Sequence, residues 1–199
     1  MRIACVSDLH GAVITPTLEA DVLVIAGDIT NQGRYLEIMR AIDWITVASN
    51  NYKHILWVPG NHDMGVEEKL LLPPNCVNLR KQKIELEGVS FYGESLSCCF
   101  DLPRLAQYWE YMTADKKEDL FAWEYVPYAD IIISHSPPLG LLDKTDSKVH
   151  IGSPGLRKYI KKHHPKLVIC GHVHESQGQR LVEKTLVVNT AQKLQLIEV

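Results

Sequence analysis

The chain has 199 residues, a formal net charge of −3 and 46% hydrophobic residues. That length supports one core burying roughly 70% of the unfolded surface, so a single domain over residues 1–199 is expected. No apolar run approaches the roughly 18 residues of a membrane span, and the mildly acidic balance argues against an extended nucleic-acid duplex as partner, which selects a basic face.

The first predicted element is the stretch RIACVS, a strand rather than a leader peptide, because its apolar part is short and SDLHG follows at once. The next are DVLVIAG and, after a helical stretch over 33–49, HILWVPG. In that helix Tyr35, Ile38, Met39, Ile42 and Ile45 recur at three-four spacing. KIELEGVSFYGES reads as a hairpin turning at Glu87-Gly88. Residues 103–128 carry Tyr108, Trp109, Tyr111, Phe121, Trp123, Tyr125 and Tyr128, and read as a helical insertion packing its aromatics on the domain, with a lid or dimer contact as the alternative. DIIISH is the fourth strand. PGLRKYIKKHH is a helix with Leu156, Tyr159 and Ile160 on one stripe, ended by Pro165, and KLVICGH is the fifth strand. QRLVEKTLVVNTAQKLQLIEV reads as antiparallel strands to the end of the chain. Continuous β-branched runs suit strands buried on both faces, and their alternation with helices indicates an α/β layer fold with a mixed sheet.

The cysteines Cys5, Cys76, Cys98, Cys99 and Cys170 form no C-x-x-C pair. Cys5 and Cys170 lie in apolar runs and read as small core residues. Without an export signal or a disulfide framework, a reducing cytoplasm is the expected compartment.

The strand ends carry a restricted set of polar residues. The first run ends in Asp8 and His10, the second in Asp28, and the third in Asn61, His62 and Asp63. The fourth ends in His135, and the fifth in His172 and His174. Ligands of α/β sheets bind at the carboxyl ends of strands, so these residues are expected on one rim. Residues i and i+2 of an extended strand share a side, which would let Asp8 converge with His10 and His172 with His174. Glycines before Asp28, Asn61 and His172 would permit sharp turns and leave room for an ion. Oxygen and imidazole donors without thiolate suit Mn²⁺, Fe²⁺, Zn²⁺ or Ni²⁺. The donors outnumber a tetrahedral site and fit two ions about 3.5–4 Å apart. With Asp8 and Asp28 as the only carboxylates among the ligands, a bridging hydroxide and an anionic substrate would balance the surplus positive charge. His54, His163 and His164 read as structural, the first opening a strand and the others closing a helix.

In this order the residues resemble the calcineurin-like metallophosphoesterase superfamily. The signature D-x-H, G-D, G-N-H-D, H and G-H-x-H falls on Asp8 and His10, Gly27-Asp28, Gly60-Asn61-His62-Asp63, His135, and Gly171-His172-Val173-His174. The resemblance implies two packed mixed β-sheets flanked by helices, a four-layer α/β/β/α sandwich. It implies that Asp8, His10 and His174 hold one metal, Asn61, His135 and His172 the other, and that Asp28 bridges them, with Mn²⁺ the first choice. His62 would donate a hydrogen bond or proton near the leaving group, and Asp63 has no assigned catalytic role.

GDITNQG lacks the second aspartate of the protein serine/threonine phosphatase pattern G-D-x-x-D-R-G. With both histidines of G-H-x-H present, the chain is similar to small stand-alone phosphodiesterase-type members of bacteria, archaea and phages. The expected activity is therefore metal-dependent hydrolysis of a small phosphoester, a diester above all. The alternatives are a phosphomonoesterase or protein phosphatase, and a non-catalytic binding module on the same fold. In the same comparison His150 falls on a loop facing the pocket, and Pro137-Pro138 stiffen the loop after His135.

Overall fold

The structure is a computed structural model that describes residues 1–12, 14–15, 17–67, 71–99 and 111–199. The strands β1 (Arg2–Val6), β2 (Val22–Ala26), β3 (His54–Val58) and β4 (Cys76–Asn78) run parallel, and β13 (Gln195–Glu198) closes this sheet antiparallel to β1. The second sheet has the order β11-β12-β10-β9-β6-β5, formed by Gly178–Val182, Thr185–Asn189, Leu167–Cys170, Ile131–Ser134, Val89–Glu94 and Lys83–Leu86. Its four central strands are parallel and its two edges are antiparallel. A short pair, β7 (Ser97–Cys98) with β8 (Met112–Thr113), stands apart.

Alternate residues of each strand face alternate layers, which explains why the runs are apolar throughout. Ile3, Cys5, Val22 and Val24 pack between the sheets against Phe91, Ile131, Ile133 and Ile169. Their neighbours Ala4, Val6, Leu23 and Ile25 pack outward on helix α1 (Tyr35–Ser49). On the far side, Ile132, Val168 and Val187 pack against Trp123 of α2 (Lys116–Glu124) and Leu156, Tyr159 and Ile160 of α3 (Pro154–His163). The result is helix, sheet, sheet, helix, as the resemblance implies.

Local chemistry fixes the helix ends. Glu37 of α1 accepts the amides of Gln32 and Arg34. Asp115 caps α2 by accepting from Lys117 N, and Ser153 caps α3 by accepting from Leu156 N at 2.9 Å, with Pro154 first in that helix. α3 closes at His164, whose backbone is left-handed at φ 48°, one residue before Pro165.

Three sequence expectations need correction. The buried face of α1 is Ile38, Ala41, Trp44, Ile45 and Ala48, while Tyr35 and Met39 are exposed. Small Ala41 and Ala48 let the helix approach the sheet, and Trp44 takes its place inside with its indole N–H on the Ile14 carbonyl. The C-terminal strands divide between the sheets: β11 and β12 form an antiparallel hairpin, β12 runs parallel to β10, and β13 crosses to β1. In the aromatic stretch Trp123 is buried, but Phe121, Tyr125 and Tyr128 are exposed. Tyr108 and Trp109 lie outside the described residues.

Candidate metal centre

The carboxyl ends of β1, β2, β3, β9 and β10 meet on one rim, where hydrogen bonds run both within each sheet and between the two. Asp8 N donates to the Gly27 carbonyl at 2.9 Å, and Gly171 N to the His135 carbonyl at 3.0 Å. Across the sheets, His172 N reaches both oxygens of Asp8 at 3.0 Å, and His135 Nδ1 lies 2.8 Å from the Ala26 carbonyl. That last contact fixes the tautomer of a neutral His135, with Nδ1 protonated and Nε2 turned into the site.

Convergence does not come from the strand pleat. β1 and β10 stop at Val6 and Cys170, before the polar residues begin. Asp8, His10, Asp28 and His172 all adopt left-handed backbone, with φ of 56°, 46°, 54° and 68°. Such a conformation is uncommon for residues other than glycine, and clusters of it mark functional sites. The glycines act mainly by leaving room. A Cβ on Gly60 would sit 2.2 Å from Asp28 Oδ1, one on Gly171 2.2 Å from Asp8 Oδ2, and one on Gly27 2.4 Å from His135 Nδ1. Of these three, Gly27 also turns the chain at φ 92°.

Three overlapping groups of donor atoms result. Asp8, His10 and His174 form one, His10, Asp28 and His62 a second, and Asp8, Asp28 and His135 a third, each with its atoms within 4.8 Å of one another. His174 Nε2 lies 3.1 Å from Asp8 Oδ1 and 3.3 Å from His10 Nε2. Asp28 Oδ2 lies 3.3 Å from His135 Nε2 and 3.9 Å from His10 Nε2. Asn61 Oδ1 joins at 3.2 Å from His135 Nε2. The His172 ring stands edge-on to that of His135, with centroids 5.1 Å apart. Of the seven predicted ligands, six therefore meet through side-chain polar atoms, and His172 is placed by its ring and its backbone amide.

The donor set fits divalent cations. His10 and His174 turn two imidazole nitrogens toward each other beside two buried carboxylates, and His10 Nδ1 is buried with no hydrogen-bond partner among the described residues. Without an ion, protons must fill that role. Burial works against charge on Asp28 and His135, but their mutual attraction wins, holding Asp28 well below its usual range and raising His135 to about 10. Burial, and then the charge of His135, pushes His172 down to about 4. Burial would raise Asp8, yet the His174 hydrogen bond and the His135 charge keep it low. A cation bound here would displace the His135 proton, since imidazole ligates in its neutral form.

A second set of residues holds these in place. Ser7 Oγ donates to Asp8 Oδ2 at 2.5 Å and is itself met by Thr190 Oγ1 at 3.1 Å. Asp63 is fully buried and accepts from Gly60 N at 2.9 Å, Thr30 N at 2.8 Å and Thr30 Oγ1 at 3.1 Å, tying the Asp28 loop to the Asn61 loop. His62 N donates to Asp28 Oδ1 at 2.7 Å, and its ring Nδ1 lies 2.8 Å from the Asn31 carbonyl. The sequence gives no signal for Asn31 or Thr190, because their partners His62 and Ser7 are distant in the chain, and Ser7 is one more serine until folding turns its hydroxyl onto the neighbouring Asp8. His150 sits on the loop after His135, its Nδ1 2.6 Å from the buried Asp143, which also accepts from Gly140 N and Gly152 N.

Among the described residues no helix is long and apolar enough to cross a membrane. The family profile described as calcineurin-like phosphoesterase matches residues 1–176. A UPF0046 protein of Caenorhabditis elegans is 29% identical, over 96% of this chain and 70% of its own. The human metallophosphoesterase domain-containing protein 1 is 25% identical over 96% of this chain, which spans 65% of it. One crystal structure superposes with a TM-score of 0.67 at 18% identity, covering 99% of this chain and 98% of the other, and shows the same fold.

Proposed function

Because the chain belongs to the calcineurin-like phosphoesterase family of metal-dependent phosphoesterases, we propose that it hydrolyses small phosphodiesters at a centre for two divalent ions. The observation that carries this reading is the position of Asp28, whose oxygens belong both to the group with His10 and His62 and to the group with Asp8 and His135. A carboxylate shared in that way suits a bridge. Asp8, His10 and His174 would hold one ion, and Asn61, His135 and His172 the other, with Mn²⁺ the first to test. Two such ions supply water activation near neutral pH and neutralise charge on phosphoryl oxygens.

The chain's own groups do the rest. Asp8 and Asp28 are the carboxylates of the ligand set, so a site loaded with two divalent ions keeps net positive charge and favours an anionic ester. His62 packs edge-on to His10, with centroids 4.7 Å apart, which puts it at the rim of the centre. Its Nδ1–H would donate to the Asn31 carbonyl, which orients the ring, and the imidazole would supply a proton to the departing oxygen. His62 pairs with the neutral Asn31 carbonyl rather than with the second aspartate of the protein phosphatase pattern, which argues against a phosphoprotein phosphatase.

A paired assay tests this. Metal-stripped protein is given Mn²⁺ and either bis-p-nitrophenyl phosphate or p-nitrophenyl phosphate. Metal-dependent turnover of the diester at a higher kcat/KM is the expected result. Faster turnover of the monoester would replace the diester reading with a phosphomonoesterase, and turnover of neither would favour a binding module.

A further inference from the structure

A cavity of about 920 Å³ lies beyond the end of β6, walled by residues of α2 and of the loop after β4, and it contains none of the candidate metal ligands. Its size is that of a small-molecule site. Two groups lining it have buried polar atoms with no hydrogen-bond partner among the described residues. Glu94 is 1% exposed, and its Oε1 accepts from Ser95 N at 2.8 Å and Leu96 N at 3.2 Å, while Oε2 has no partner. Arg80 is held by Glu67 at 3.3 Å and lies 4.8 Å over the Tyr111 ring, while its Nε has no partner. The cavity is thus lined by two side chains, each already fixed by other contacts and each carrying one buried polar atom that the described residues leave unmet.

The walls add a preference for flat ligands. Tyr92 lines the cavity, and so do Phe121 and Tyr125, whose rings meet edge to face with centroids 5.7 Å apart. Phe121 is 65% exposed despite being apolar. An anion would be repelled by Glu94, a simple cation by Arg80 and Lys81, and an aliphatic ligand would leave both polar atoms unmet. We propose that this cavity binds a flat heteroaromatic ring carrying an N–H beside a C=O. The ring N–H donates to Glu94 Oε2, the carbonyl accepts from Arg80 Nε, and the ring face lies on Phe121 or Tyr125. This inference does not rest on the phosphoesterase reading, and either can fail alone.

Calorimetric titration of the full chain with inosine and with adenosine tests it. The two nucleosides share a sugar and a ring skeleton, carry no phosphate, and differ at the edge in question: inosine has N–H beside C=O, adenosine a bare ring nitrogen beside NH₂. Inosine is expected to bind saturably and at least tenfold more tightly. In Glu94→Gln, Oε1 can still accept from Ser95 and Leu96 while the second position becomes a donor, so the preference for inosine should collapse. Phe121→Ala, at an exposed position, should weaken inosine at least threefold. No saturable inosine binding, equal affinity for the two nucleosides, or a preference that survives Glu94→Gln with unchanged Tm would overturn the proposal. If Glu94→Gln does not fold, undiminished inosine binding by Phe121→Ala overturns it.

Discussion

Asp28 accepts the backbone N–H of His62 on Oδ1 at 2.7 Å, so the proposed bridging ligand and the proposed proton donor are coupled directly. Asp28→Asn can keep that hydrogen bond, because an amide oxygen also accepts. It would replace an anionic Oδ2 that faces His135 and His10 with an NH₂ group or a neutral oxygen. The expected outcome is a chain that folds but loses metal and at least 10³-fold in kcat, roughly 4 kcal/mol of transition-state stabilisation. Metal content by elemental analysis beside kcat checks it, and retention of full metal would remove Asp28 as the bridge.

His62→Ala separates proton donation from metal binding. Loss of a general acid costs typically about 10²–10⁴-fold, but only where the leaving group needs a proton. A methyl or alkyl nitrophenyl diester measured for release of each group should show the split, with alkoxide loss suffering far more than nitrophenolate loss. Equal losses for both groups would assign His62 a purely positional role.

Gly60→Ala tests the steric cradle. The new Cβ would lie 2.2 Å from Asp28 Oδ1, 2.6 Å from Asp28 N and 2.7 Å from His135 Cε1. Overpacking of this kind costs about 1–3 kcal/mol, and here it falls on two proposed ligands. Thermal unfolding should show the lower Tm, and a Mn²⁺ titration should show at least tenfold weaker binding. Unchanged metal affinity would mean that the loop relaxes without moving Asp28.

Stability toward acid should depend on Asp130, which ties β6 to the starts of β9 and β10. It accepts from Ser90 Oγ at 2.7 Å and Ser90 N at 3.0 Å, and faces Lys166 Nζ at 3.1 Å. The Ser90 hydroxyl, acting against burial and helped by the Ser90 amide and Lys166, holds the carboxyl well below its usual value. A pKa lowered by folding contributes stability above the unfolded value of about 3.9, and the contribution is lost as pH falls through the lower folded value. Asp130→Asn should therefore cost roughly 1–2 kcal/mol at neutral pH, with the gap to the parent chain closing on acidification. Urea unfolding of both chains across pH shows whether the gap closes or stays constant.

The layers and the rim were legible in the sequence because buried parallel strands write themselves as apolar runs, and because each run ends in a metal-type donor. The conformation that brings the donors together was not. Pleat alternation suggests that Asp8 and His10 share a side by being two apart, whereas left-handed backbone at Asp8, His10, Asp28 and His172 does the work. Asp and His tolerate left-handed backbone better than most residues, but SDLH and GHVH do not require it, and the contact of His172 N with Asp8 exists only in the folded chain. The α1 stripe misled for a related reason. Periodicity admits Tyr35 and Met39, but the sheet surface selects the face bearing Ala41 and Trp44. Glu94 and Arg80 carry no sequence signal, since an unmet hydrogen bond exists only once neighbours are placed.

The most direct test of the account is the number of metal ions bound per chain. Metal-stripped protein is titrated with Mn²⁺ by calorimetry, and the loaded protein is counted by elemental analysis after desalting. Two ions per chain are expected, falling below two when either His174 or His172 is replaced by alanine. A stoichiometry of one in the unaltered chain, or two that survive both replacements, would contradict it.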